Sequence, residues 1–300
     1  LSESLLKPST LTVNKEEPMY NAGLVLEGGG MKGVYTSGVL DFFLDKEIEF
    51  SCVYGVSAGA CNMTSFISKQ RGRSKDVFLD YIGMKQYMSV YSLLTTGNLF
   101  GADLNFNLVP NYLNPFDYEA FNEYRGDVYS VVTNIKTGEA EYKKITNLEK
   151  EIDYIRASSA LPLVSKNVVI DRIPYLDGGI ADPIPIRESK RNGNVKNVVI
   201  MTKPVGYVRK PEKVLPLIKS RYLRYPKLYE IMRERHITYN ATVDYLNRLE
   251  QSGEVFVIRP KEDIAIDRTE KDRSKLEALY NEGYKEAKEL YKPLLEYLNS

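Results

Sequence analysis

The stretch Cys52-Val53-Tyr54-Gly55-Val56-Ser57-Ala58-Gly59-Ala60-Cys61-Asn62 decides the fold. Its first three residues are an apolar run with the character of a buried strand. From Ala60 to Ile67 the chain can be a helix. Between them stands Gly-x-Ser-x-Gly, and strand, pentapeptide and helix together are the context a nucleophile elbow requires. Gly55 and Gly59 are needed because a side chain at either place in so tight a turn would strike the strand or the helix. Ser57 is then held clear of the backbone at the start of a helix, where the dipole favours a developing negative charge. Taken alone the motif is equally well a glycine-rich turn with a solvated serine, so its neighbours matter.

Upstream, Ala22-Gly23-Leu24-Val25-Leu26-Glu27 reads as a buried strand and runs directly into Gly28-Gly29-Gly30-Met31-Lys32-Gly33. Val34, Tyr35, Val39, Leu40, Phe42, Phe43 and Leu44 then recur at helical spacing. Strand, helix, strand, helix is the opening of an α/β fold with a parallel sheet. Gly28, Gly30 and Gly33 satisfy the dinucleotide fingerprint G-x-G-x-x-G. The acid that should close the second strand is missing there, since Glu49 precedes the strand and the strand ends in the elbow. A phosphate-binding P-loop is absent too. The remaining reading is an oxyanion hole, in which glycines let backbone N–H groups approach a substrate oxygen. Consecutive parallel strands put this loop and Ser57 at the same carboxyl edge of the sheet.

A nucleophilic serine needs a base. The single histidine, His236, lies in Arg233-Glu234-Arg235-His236-Ile237, which reads as a basic helix rather than a loop at a sheet edge. Asp177 is the better candidate. It ends the short apolar run Ile173-Pro174-Tyr175-Leu176 and is followed by Gly178-Gly179. A carboxylate is a feeble base in water, and desolvation beside the serine would raise its basicity.

Gly28-Gly29-Gly30-Met31-Lys32-Gly33, Gly55-Val56-Ser57-Ala58-Gly59 and Asp177-Gly178-Gly179 together resemble the oxyanion, nucleophile and acid motifs of the patatin-like phospholipases, and stand in that family's order. Ala157-Ser158, with Pro162 four residues on, is similar to its A-S-x-x-x-P element, and Asp182-Pro183-Ile184-Pro185 to the step after the acid. The resemblance implies a three-layer α/β/α fold with a mostly parallel sheet. It also implies a Ser57–Asp177 dyad without histidine, acting on acyl esters of lipids. The acids from Glu262 to Asp272 alternate with bases and lack calcium-loop spacing, so neither metal nor cofactor is expected. Lys32 departs from the family's frequent arginine, keeping the charge but losing the forked donor. Gly179 stands where alanine is common. An alternative of another class is a lipid- or acyl-binding protein that keeps the motifs with negligible turnover.

The 300 residues carry 41 basic and 40 acidic side chains, a balance that gives no global drive toward nucleic acid. The local exception is 209–227, where Arg209, Lys210, Lys213, Lys219, Arg221, Arg224 and Lys227 face Glu212 alone among interleaved Leu and Tyr. That segment suits transient contact with an anionic membrane surface, or equally a solvated helix face packed on its apolar side. Two cysteines, Cys52 and Cys61, make no disulfide framework and suit a reducing compartment. No run approaches a membrane span, and residues 1–17 lack the apolar core of a signal peptide. The expectation is therefore a cytoplasmic protein, peripheral to a membrane at most. No linker stands out, so residues 1–20 read as an irregular arm and 21–300 as one domain. Further along, the sequence predicts a helix over 76–88 and an irregular crossing or lid over 91–118. A hairpin over 128–145 follows, then helices over 149–159, 226–251 and 272–298. Lipid headgroup, chain length and oligomeric state are not legible.

Overall fold

A computed structural model describes residues 19–262 and 265–300; residues 1–18 of the expected arm lie outside the described residues. β1 (Tyr20–Leu26) leads through a 3-10 turn at Gly30–Gly33 into α1 (Val34–Asp45), and β2 (Phe50–Val56) passes through Ser57 into α2 (Ala58–Ile67). α3 (Arg73–Asp80), α4 (Val90–Thr96), a π-helical stretch at Leu104–Leu113 and α5 (Tyr118–Asn122) follow. Next come β3 (Asp127–Asn134), β4 (Glu139–Lys144), α6 (Leu148–Ser158), β5 (Val168–Ile170) and β6 (Ile173–Asp177). α7 (Ile186–Arg191), β7 (Lys196–Ile200), α8 (Leu215–Arg221), α9 (Pro226–Gln251), β8 (Val255–Ile258), α10 (Arg273–Glu289) and α11 (Tyr291–Asn299) complete the chain.

The strands form one eight-stranded sheet in the order β5-β6-β3-β2-β1-β7-β8, with β4 pairing with β3 off this path. β3, β2, β1, β7 and β8 pair in parallel, while β4, β5 and β6 join through antiparallel pairs. Alternation along the strands feeds two faces. Leu24 and Leu26 pack with Val39, Phe43, Met63 and Leu276 from α1, α2 and α10. Val25 and Tyr54 pack with Tyr239 and Leu246 of α9 on the other face. These side chains are fully buried, and each contributes about 1.5–3 kcal/mol relative to exposure. The result is a mixed α/β architecture with helices on both faces of a mostly parallel sheet.

β3 is the pivot of the active edge. Its first half pairs with β2, ending with Val131 opposite Val56. Its second half pairs with β6, beginning with Val132 opposite Asp177. The residue after Val56 is Ser57, so successive residues of one strand hold the end of β2 and the end of β6 together. The hairpin β3–β4 turns at Thr137-Gly138, where Gly138 has φ of 78°.

Three sequence expectations are corrected. The helix expected over 76–88 begins at Arg73 and ends at Asp80; the chain then breaks into turns around Gly83, which a helix interior disfavours. The segment 91–118 is more ordered than its composition suggests. Ser89 caps α4 by accepting from Ser92 N–H at 3.0 Å, and Pro110 sits inside the π-helical stretch, a geometry in which local hydrogen bonding is already rearranged. The last helix is two: α10 stops at Glu289 and α11 begins at Tyr291 with Pro293 in its first turn, where a missing N–H costs nothing.

Candidate active site

Ser57 has φ of 55° and ψ of −123°. A non-glycine residue pays on the order of 1–3 kcal/mol for such a conformation, and it persists where the surroundings enforce it. The enforcement is visible. A Cβ on Gly55 would lie 2.5 Å from Ala60 Cα, and one on Gly59 2.5 Å from the Leu26 carbonyl oxygen. Ser57 N–H donates to Ser158 Oγ at 2.8 Å, and Ser159 Oγ lies 3.4 Å from the Ser57 carbonyl oxygen. The Ala157-Ser158 element thus clamps the elbow from the end of α6.

Asp177 closes β6 and is 2% exposed. The Ala160 carbonyl accepts its N–H at 2.8 Å and Thr133 Oγ1 donates to its carbonyl at 2.8 Å, fixing the backbone from two sides. Its Oδ1 accepts Gly179 N–H at 2.7 Å. Its Oδ2 is buried without a well-formed hydrogen bond. Burial pushes its pKa up; the nearby Arg235 charge, the Ser57 hydroxyl, Gly179 N–H and Arg268 oppose that rise. The serine hydroxyl is thus close enough to Asp177 to oppose the rise in its pKa, and Oδ2 is the carboxylate oxygen with no partner among the described residues.

The glycine loop lies directly over Ser57. A Cβ on Gly28 would come within 2.7 Å of Ser57 Cβ and 3.0 Å of the Val56 carbonyl oxygen, so only glycine permits this approach. Met31 N–H donates to the Arg268 carbonyl and Lys32 N–H to the Gly29 carbonyl, each at 3.3 Å. Gly28 and Gly29 N–H make no hydrogen bond among the described residues. Gly30, with φ of 58°, packs against the Arg268 backbone, and Gly33 against Ala58 of α2. Lys32 is half-buried at the same loop. Gly178 packs on the Val131 carbonyl, beneath Asp177.

His236 sits on α9, half-buried, with Nδ1 lacking a hydrogen-bond partner among the described residues. No hydrogen bond links it to Ser57 or Asp177. Its neighbour Arg235 is the residue that meets the site. Arg235 is 7% exposed, and its Nε donates to the Gly179 carbonyl at 2.8 Å. Its Nη1 is 3.8 Å from Glu212 Oε2. Burial, then repulsion from Arg209, lowers its pKa to about 9. Sequence reasoning noticed Arg235 only as a neighbour of the histidine. The signal was its place on the stripe Leu228, Met232, Arg235, Tyr239, Thr242, Leu246, Leu249, all buried on one face of α9. A charge on such a stripe must be held by something.

Glu27, which directly follows β1, was also overlooked. It is 2% exposed and accepts from Thr202 N–H at 2.6 Å, Tyr239 Oη at 2.7 Å and Thr202 Oγ1 at 3.0 Å. It ties the glycine loop to the end of β7 and to α9. On the other side of Ser57 a cavity of about 320 Å³ opens, lined by Met31, Val77, Phe78, Phe100, Phe106 and Phe116 among others. Among the described residues, no group of three or more His, Cys, Asp or Glu is placed to hold a metal ion. Nor is any helix among them long and apolar enough to cross a membrane.

Residues 225–299 match a family model described as a domain of unknown function, DUF6363. The uncharacterized protein YjjU of Escherichia coli (strain K12) is 33% identical over 184 residues, 60% of this chain and 52% of YjjU. The chain thus spans about half the length of that relative. The crystal structure of VipD from Legionella pneumophila aligns with a TM-score of 0.46 and 14% identity over 92% of this chain and 67% of VipD. The model for the patatin-like phospholipases matches residues 24–189, which hold both the elbow and Asp177 and are more than half of the sequence, so the chain belongs to the patatin-like phospholipase family.

Proposed function

We propose that the protein is a serine acyl hydrolase of lipid esters that works through Ser57 and Asp177. The observation that carries this reading is the register of β3, which sets Val56 and Asp177 against consecutive residues. Ser57 Oγ attacks the ester carbonyl and Asp177 takes its proton. The desolvation that raises the carboxylate's pKa makes it a better base than it would be in water. The N–H groups of Gly28, Gly29 and Gly30 receive the oxyanion, with Lys32 adding positive charge. Met31 N–H is engaged by the Arg268 carbonyl and Lys32 N–H by that of Gly29, and both shape the loop instead. The alcohol leaves with the proton, and water, activated by Asp177, releases the acyl group. The acyl chain lies in the apolar cavity. So weak a base favours esters and thioesters over amides. Residues 21–300 act as one unit, because α9 supplies Arg235 to the acid's loop.

A fluorophosphonate probe tests this. It labels Ser57 in the wild type and not in Ser57→Ala; absence of wild-type labelling would favour a lipid-binding protein that has kept the motifs.

The segment 209–227 supports a second part of the reading, contact with an anionic membrane surface. Leu217 and Leu223 are exposed beside Lys219, Arg221 and Arg224. Binding to phosphatidylserine vesicles should weaken steeply with salt; binding that ignores salt, or none, removes this contact.

A further inference from the structure

The flank of Ser57 on the α9 side holds more cations than close ion pairs among the described residues. Arg235 gives its Nε to a backbone carbonyl and forms its ion pair with Glu212 only at 3.8 Å. Arg209 is held in place by Asn240, whose side chain accepts Arg209 N–H at 2.9 Å and donates to its carbonyl at 3.0 Å. Its guanidinium lies over the Tyr239 ring at 4.6 Å, and its Nε and Nη1 are buried without a partner among the described residues. Two buried, immobilised and unused donors are costly unless something fills them. Arg268 lies at the rim; its carbonyl holds the glycine loop through Met31 N–H.

Among the described residues, the acids nearby are engaged elsewhere. Glu27 spends its oxygens on Thr202 and Tyr239. Asp177 faces Ser57 and Gly179. Lys203 is half-buried among Lys32, Arg209 and Arg268, and burial with their repulsion lowers its pKa to about 8 despite Glu27. Thr202 Oγ1 donates to the Gly28 carbonyl, so Lys203 follows directly on a contact with the glycine loop, as Arg268 touches that loop through Met31, and cations brought there from several chain segments suit an anion with several acceptor oxygens. Arg235 and Arg268 are also close enough to Asp177 to lower its pKa, so the cluster adjoins the reacting centre.

We propose that Lys203, Arg209, Arg235 and Arg268, all contributed from beyond the patatin-like segment, form a phosphate-binding site beside Ser57 that receives the phosphate of the substrate's headgroup. This rests on the hydrolase reading for its substrate, but not for the anion site itself. The C-terminal region, which the family model of unknown function covers in part, thereby selects which esters reach the serine.

Two arms test it on the full chain. In the first, inorganic phosphate is titrated against chloride at constant ionic strength and the melting temperature is followed. Phosphate should stabilise the wild type in a saturable manner, and Arg209→Gln should abolish the effect. In the second, kcat/KM is compared for a 1-acylglycerol 3-phosphate and the 1-acylglycerol of the same chain. The wild type should prefer the phosphate ester by about tenfold or more, and Arg209→Gln should bring the ratio close to one. If Arg209→Gln fails to fold, Lys203→Gln is read in the same two arms and should lower both. Stabilisation without substrate preference would overturn the headgroup assignment and leave a site for free phosphate. No stabilisation and no preference would overturn the site. If neither ester is cleaved by the wild type, the hydrolase reading fails, and the phosphate titration still decides whether the anion site exists.

Discussion

The two flanks of Ser57 are built on opposite principles. Toward α3 and the π-helical stretch the wall is apolar, with Val77, Phe78, Phe100 and Phe116 around a cavity. Two guanidinium groups interrupt it: Arg73, which starts α3, donates to the Asn114 carbonyl at 3.0 Å and stacks 4.9 Å from the Phe116 ring centre, and Arg156 of α6 also lines the cavity; the Nε of each is buried without a partner among the described residues. Toward α9 and Arg268 the wall is cationic, and the buried donors of Arg209 are left open. A substrate with an apolar tail and an anionic head would satisfy both flanks at once. The strained serine and buried acid between them are held by the sheet, and each flank is recruited from chain far away in sequence. Chemistry and selectivity are therefore separable.

The sharpest way to break this separation is to attack the centre. Ser57→Ala and Asp177→Asn should each lower kcat by about 10³-fold or more, with the double variant little worse, because groups that act as one unit give non-additive losses. The acid limb of the wild-type pH profile should lie above that of an exposed carboxylate, since burial raises the Asp177 pKa and protonation removes the base. Near-normal turnover by Asp177→Asn would show the base to be misassigned. A smaller effect is expected in the apolar flank. Val77→Trp, which fills the cavity from a half-buried position, should cost p-nitrophenyl palmitate about tenfold in kcat/KM while sparing the butyrate ester. Equal losses on both esters would place the acyl chain elsewhere. The smallest effect belongs to His236→Ala, which should keep activity within about threefold. A triad histidine would cost about 10⁴-fold, and such a loss with an intact circular dichroism spectrum would replace the dyad with a triad.

Much of the sheet and its active edge was legible because their signals are local. The strand–glycine–helix units at Leu26–Val34 and Val56–Ala60 announce themselves through turns that only certain residues permit. α9 is bounded by Pro226 at its start, and its length follows from its periodicity. Asp177 could be found because its two glycines mark the loop. What stayed hidden depends on packing across the chain. The short helices of 73–122 are held by a cap at Ser89 and by Arg73 on Asn114 rather than by strong propensity. Arg235 and Glu27 matter only through partners far along the sequence, Gly179 for one and Thr202 and Tyr239 for the other. The cationic flank is assembled from segments none of which is diagnostic alone.

The double use of β3 has a consequence for biosynthesis. The elbow's strand reaches β3 from far upstream and the acid's strand returns to it from downstream, so serine and acid stand together only when both pairings have formed and Ser158 has closed on the elbow. Contacts of this kind form late, because loop closure must come first. A growing chain thus carries the Ser57 elbow before Asp177 has been made and seated beside it. A partly folded chain therefore holds its serine and its carboxylate apart, and the site comes into being only with the finished topology.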